Sequence, residues 1–174
     1  MWWNGNLKQK TSEMKFNDLE GFALDSKVWV FVTNRKLIDS EVEMIRQRLK
    51  DFCVKWVSHS DKLKAEGFVV DDVLILLAVD NKMYSASGCS IDSAMRFIQE
   101  LEREFNVELL DRQNFAYVSE GKSELVKKSD LRLKMSNGEI SGSTLFYNPL
   151  VSNFQELQSD FLKPMDSFWM KNMV

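Results

Sequence analysis

The segment SGCSIDSAMR, residues 87–96, gathers a thiol, three hydroxyls, a carboxylate and a guanidinium within one short stretch. Gly88 allows a tight approach of the backbone, Cys89 directly precedes an apolar-periodic run that reads as a helix, and Ser90 or Asp92 is placed to cap it. A helix N-terminus stabilises negative charge, so a thiolate at Cys89 would be favoured there and its pKa lowered. With His59, the sole histidine, as base, Cys89 outlines a cysteine nucleophile whose helix N-terminus would bind an oxyanion or a substrate carboxylate. The non-catalytic alternative makes Cys89 a small buried residue in a capped turn and His59 an exposed residue closing a helix. A third use of the same residues is a small anionic ligand held by Ser87, Gly88, Ser90, Asp92 and Arg96, with Asp80 at the same end of the fold. Asp92 with Arg96, and Asp111 with Arg112, read first as local ion pairs, and Cys53 reads as core. His59, Cys89 and the carboxylates contain no short-spaced ligand pair, so neither a metal nor a cofactor is expected.

A second stretch with chemical content is AYVSEGKS, residues 116–123, which fits a loose phosphate-binding loop with Ala in place of the first Gly. Upstream, VLILLAVD (73–80) has the form of an apolar strand ending in an Asp near magnesium. Phosphate loops depend on small residues whose backbone N–H groups curl round the anion. Here the curl would consist of Tyr117, Val118, Ser119 and Glu120. The first two resist the required dihedrals, and the last sets a negative charge against the phosphates. The Asp-ended strand also precedes the loop instead of following it. A surface turn after an edge strand is the expected state of 116–123.

The elements that must position these residues follow from periodicity. KVWVFV (27–32) is continuously apolar and rich in β-branched and aromatic residues, as a strand buried on both faces would be. Val42, Ile45, Leu49, Phe52, Cys53 and Trp56 recur at helical spacing, and Ser40 with Glu43 forms a capping box that starts this helix at 40 or 41. KAEGFVV and VLILLAV read as strands joined by a tight hairpin at Asp71-Asp72. A second helix carries Ile91, Ala94, Ile98, Leu101 and Phe105 on its buried stripe, and LLDRQNFAYV ends in a fourth strand marked as an edge by Asn114 and Tyr117. The order β-α-β-β-α-β predicts an α+β fold, a ferredoxin-like βαββαβ sandwich with a C-terminal helical elaboration. The expected division is a loose extension over 1–13 and one domain over 14–174, with a core at 27–118 and the elaboration at 119–174. Residues 119–146 read as a polar, solvated segment. A helix is expected from Ser152 to Leu162, ended by Pro164, with Phe161, Phe168 and Trp169 closing over the domain. This topology sets His59, Asp80, Cys89, Ser90 and Asp92 at one end of the sheet, and Asn34, Arg35, Asp71, Asp72, Asp111 and Arg112 at the other.

The bulk numbers exclude several function classes. Net charge is −3 and the sequence pI about 5.3, so no overall positive field draws in nucleic acid or an anionic membrane. Two cysteines without a pairing pattern suggest a reducing, cytoplasmic location. No apolar run approaches the ~18 residues that span a bilayer. An open four-stranded sheet would leave a face and edges through which a homodimer could form.

The segments VWVFVTNR, KWVSH, ILLAVD, SGCSIDSAMRFIQELE, LLDR and the terminal DSFW resemble a family of small bacterial proteins often labelled "ABC transporter ATPase". The resemblance runs from about Met14 to the tail, and residues 1–13 depart from it. The label implies a nucleotide-binding ATPase; the family itself supplies no catalytic residue. The first expectation is therefore a cytoplasmic module that binds a small anionic ligand or a protein partner. The alternatives are the Cys89–His59 enzyme and, last, the ATPase.

Overall fold

A computed structural model describes residues 16–82 and 86–173. The expected N-terminal extension and part of the loop between Asp80 and Cys89 lie outside these residues. The architecture is mixed helix and sheet, an α+β arrangement.

The strand β1 (Lys27–Val32) enters an antiparallel sheet beside β5 (Leu74–Val79), which pairs on its other edge with β4 (Ala65–Val70). Val30 and Phe68 both face Leu76 across these ladders. All six residues of β5 are buried, which accounts for its unbroken apolar sequence. The β4–β5 hairpin turns through residues 71–73, with Asp71 in the left-handed region at φ 51°. On one face lie α1 (Asp39–Lys55) and α2 (Gly88–Phe105). They bury Ile45, Leu49, Ile98 and Leu101 against Ile75 and Leu77. Phe52 and Phe97 stack between the helices at 4.2 Å.

The start of α1 differs from the expected capping box. The helix begins at Asp39 and uses Glu41, not Glu43, whose Oε2 accepts the Ile38 N–H at 3.0 Å. Arg35 explains the choice. Its guanidinium donates to both Glu41 oxygens at 2.8 Å and to the Phe105 carbonyl at 2.6 Å, so it ties the beginning of α1 to the end of α2. This fork holds the Glu41 carboxyl down at about 2, against a partial burial that acts the other way, with the Ile38 N–H adding to the lowering. A carboxylate with a depressed folded pKa contributes stability above its unfolded value of 4.5 and loses it as pH falls through the folded one. Wild type should therefore lose on the order of 1–2 kcal/mol between those two values that a Glu41→Gln variant does not lose, as read from urea midpoints against pH.

The largest departure concerns the fourth strand. Instead of closing the edge of the first sheet, β6 (Asn114–Ser119) lies inside a second sheet. There the order is β7-β6-β8-β9, with β7 at Lys122–Lys127, β8 at Leu145–Tyr147 and β9 at Leu162–Pro164. Five of the six β6 residues are buried, because the strand has a core on each side. Ala116 and Val118 pack on Val28, Val32, Leu74 and Leu76 of the first sheet. Phe115 and Tyr117 join Phe146, Leu131, Ile140, Met165 and Met170 in a further core on the far side. Residues 119–146 are accordingly structured, with β7 followed by α3 (Leu131–Ser136). The C-terminal helix α4 is shorter than expected, Phe154–Ser159, and is capped by Asn153. The chain after it is drawn into β9, so Pro164 sits at a strand end. Phe161 is buried between the sheets, and Phe168 and Trp169 cover the far core. Since the second sheet covers the first, the open sheet face expected for self-association is not available.

Candidate ligand-binding cleft

The residues picked out by sequence chemistry are brought to one end of the molecule but not into a constellation. Past the end of α1, β2 (Val57–Ser58) and β3 (Asp61–Lys62) form a short ribbon, and the Trp56 indole N–H donates to the Ser90 carbonyl at 2.9 Å. His59 lies at the tip of that ribbon, exposed and at φ 51°, beyond the helix it was expected to close. Cys89 is exposed on the first turn of α2, not buried, and no hydrogen bond joins it to His59 among the described residues. Ser87, not Ser90 or Asp92, caps α2, its Oγ accepting the Ser90 N–H at 3.4 Å. Ser90 is buried and its Oγ donates back to the Ser87 carbonyl at 2.8 Å. Gly88 is an ordinary helical residue, and a Cβ added there would meet nothing within 4 Å. Arg96 donates to Ser93 Oγ at 3.3 Å, not to Asp92, and both Asp92 and Arg96 are exposed.

Asp80 is 4% exposed and already engaged. Its Oδ1 accepts from the Ala23 N–H at 3.1 Å, and from Ser26 Oγ and the Lys82 N–H at 3.2 Å, while Lys64 Nζ lies 3.3 Å from Oδ2. Burial raises its pKa, but these donors together outweigh it and the net shift is downward. The carboxylate stitches the segment just before β1 to the end of β5. No group of three or more His, Cys, Asp or Glu side chains suited to a metal ion forms among the described residues.

The two thiols differ in environment. Burial, with the Glu66 charge, pushes Cys53 up to about 12, whereas Cys89 is open to solvent. A disulfide reagent should therefore titrate one thiol rapidly in the native protein, assigned to Cys89 by peptide mass, and the second only on unfolding.

The segment 116–123 contains a β-hairpin. Ser119 pairs with Lys122, and Glu120 and Gly121 both have positive φ, 49° and 76°, the signature of a two-residue type I′ turn. Ala116 is fully buried and Ser123 faces inward. Ser123 Oγ donates to Asp71 Oδ2 and lies 2.9 Å from the Tyr147 hydroxyl, which donates to the same carboxylate at 3.0 Å. This cluster joins the β4–β5 turn of the first sheet to β7 and β8 of the second. The residues with phosphate-loop spacing thus form an inter-sheet clasp.

A cleft with capacity for a ligand lies where the sheets part. Because β6 belongs to the second sheet, the outer edge of β1 has no neighbouring strand among the described residues along most of its length. At one end the Val28 N–H donates to the Ser152 carbonyl at 3.0 Å, and at the other the Asn34 N–H donates to the Glu108 carbonyl at 3.2 Å. The Thr33 N–H points the opposite way, to the Val73 carbonyl of the hairpin at 3.0 Å. By strand alternation the N–H groups of Val30 and Val32 face outward with those of Val28 and Asn34. They have no partner among the described residues. In front of them is a cleft of about 720 Å³ walled by Trp29, Ile91, Met95, Phe115, Leu150 and Trp169, with Lys27, Asp111 and Arg112 also on its lining. Asn114 lines it too, is 4% exposed, and its Nδ2 has no hydrogen-bond partner among the described residues. A buried amide donor left unmade costs about 1–3 kcal/mol, so its persistence calls for an explanation. In the sequence Asn114 is a polar break that marks its strand as an edge; the same break was the available signal for the cleft.

No protein-family model matches the chain, and neither a curated protein nor a solved structure matches it. No helix among the described residues is long and apolar enough to cross a membrane.

Proposed function

We propose that this protein is a binding module whose ligand occupies the cleft between β1 and β6. The observation that carries the reading is Asn114, a lining residue whose buried amide donor has no partner among the described residues, in a cleft otherwise walled largely by apolar and aromatic side chains. Apolar walls with a few placed polar groups are what small-ligand and peptide sites share, and a volume near 720 Å³ falls within the usual range. We also read β1, α1, β4, β5 and α2 as a ferredoxin-like frame, supported by the order β1-β5-β4. On that reading the cleft is the position that the fourth strand vacated when it joined the second sheet.

The rival cysteine-dependent reading has one observation in its favour, the exposure of Cys89 at the head of α2, and no hydrogen bond to a base among the described residues. The ATPase implied by the family resemblance would need a phosphate cradle that the 116–123 hairpin does not offer. An apolar reporter dye, anilinonaphthalene sulfonate, tests the main reading. The native protein should bind one equivalent with energy transfer from tryptophan. Ile91→Trp, which fills the cleft from the flank of α2, should weaken binding by about tenfold, an increment of 1.4 kcal/mol. Absence of dye binding, or an affinity that Ile91→Trp leaves unchanged, sinks the reading.

A further inference from the structure

Resting on the cleft reading, we infer that the natural occupant is an extended peptide segment of another protein, carrying one carboxylate and added as a strand to the outer edge of β1. Three observations select a peptide over a lipid-like or compact ligand. The first is the shape of the cleft. All six residues of β1 line it, and the ends of the free edge are closed by the chain itself, at Ser152 and Glu108. From Val28 to Asn34 the open edge measures ~20 Å at ~3.3 Å per residue. The cleft therefore follows the whole length of β1, and its volume of about 720 Å³ is enough for several extended residues. One extended chain fits.

The second observation is chemical. The Val30 and Val32 N–H groups have no partner among the described residues, and none of the backbone donors bonded elsewhere reaches the Val28 or Val30 carbonyl. An alkyl chain lying in the channel would remove these groups from water and leave them unpaired. A peptide backbone presents donors and acceptors at the same spacing, which is the basis of recognition by strand addition. The third is charge. Lys27 and Arg112 against Asp111 leave the lining one positive charge in excess, complementary to an acidic side chain or a free C-terminus.

The test pans a displayed hexapeptide library against the full chain and resynthesises the enriched sequences with a single N-methyl group at each amide in turn. Strand addition predicts a period of two. Methylation at alternate amides should weaken binding about tenfold or more, and the amides between should tolerate it within about twofold. Val30→Pro removes one outward N–H without touching the β1–β5 ladder and should abolish peptide binding, while Val30→Ile should not. If the proline variant does not fold, the N-methyl scan alone decides. Enriched peptides that show no alternation overturn the proposal. So does a library without enrichment on a protein that still binds the reporter dye; the cleft is then a site for something other than a peptide. Failure of both dye and peptide removes the cleft reading itself.

Discussion

Gly67→Val should lower the free energy of unfolding by about 3 kcal/mol, seen as a lower urea midpoint with an unchanged slope. Gly67 lies in β4 beneath α1, and a Cβ built on it would come within 2.9 Å of both Cβ and Cδ2 of Leu49. Leu49 cannot step aside, since it is fully buried on the packed face of α1, against the same sheet. The new side chain must lift the helix or bend the strand, and either loosens the packing around Ile75 and Leu77. Gly67→Ala meets the same contact with less volume and should cost about half as much. Gly88→Ala is the matching control. It introduces a Cβ into open space on a helix, and should be neutral or stabilising by up to about 1 kcal/mol.

Asp71→Ala should be comparably damaging, at about 3 kcal/mol, for a different reason. One carboxylate oxygen of Asp71 accepts from both Ser123 and Tyr147, which lie in the interior between the sheets. Removing it leaves two buried hydroxyls to share one hydrogen bond, and the Tyr147 ring, fully buried, has no route to water. Alanine is also strained at the φ of 51° that the turn imposes. Asp71→Asn keeps an acceptor and tolerates that backbone, so it should cost about 1 kcal/mol or less. Tyr147→Phe removes the hydroxyl and retains the ring, and should fall between the two. If Asp71→Ala and Asp71→Asn cost the same, the clasp is not what joins the sheets.

The comparison of sequence with structure divides along the same line. The first sheet and its two helices were legible because their residues obey simple periods. VLILLAVD could only be a strand covered on both faces, and the stripe Val42, Ile45, Leu49 and Cys53 appears as the buried face of α1. The second sheet was hidden for physical reasons. The strand β7 buries Ser123 on the face toward the first sheet and Val126 on the opposite face in the far core, and exposes Lys122 and Lys127 at its ends. An inward serine satisfied by Asp71 and Tyr147 looks, without its partners, like one more polar residue. The strands β8 and β9 are three residues each, too short to show a period. Asn114 and Tyr117 misled in the same way, because polar atoms in β6 resemble an edge whether they meet water or lie buried.

The candidate site was legible only in part. Residues 87–96 carry the chemically suggestive side chains, but the structure spreads them over an exposed helix start. The cleft is made by something no local stretch encodes, the placement of β6 in the second sheet and not beside β1. Ile91 and Met95 were read as core or passed over, and they form one wall of it.

Amide hydrogen exchange along β1, resolved residue by residue by NMR, tests the central claim most directly. The N–H groups of Trp29 and Phe31 point into the ladder with β5, while those of Val30 and Val32 face the cleft. If the edge is open, Val30 and Val32 exchange at least about a hundredfold faster than Trp29 and Phe31, a separation of ~2.7 kcal/mol in local opening. Equal protection of all four amides would mean that the edge of β1 is already paired and that there is no vacant strand position to fill.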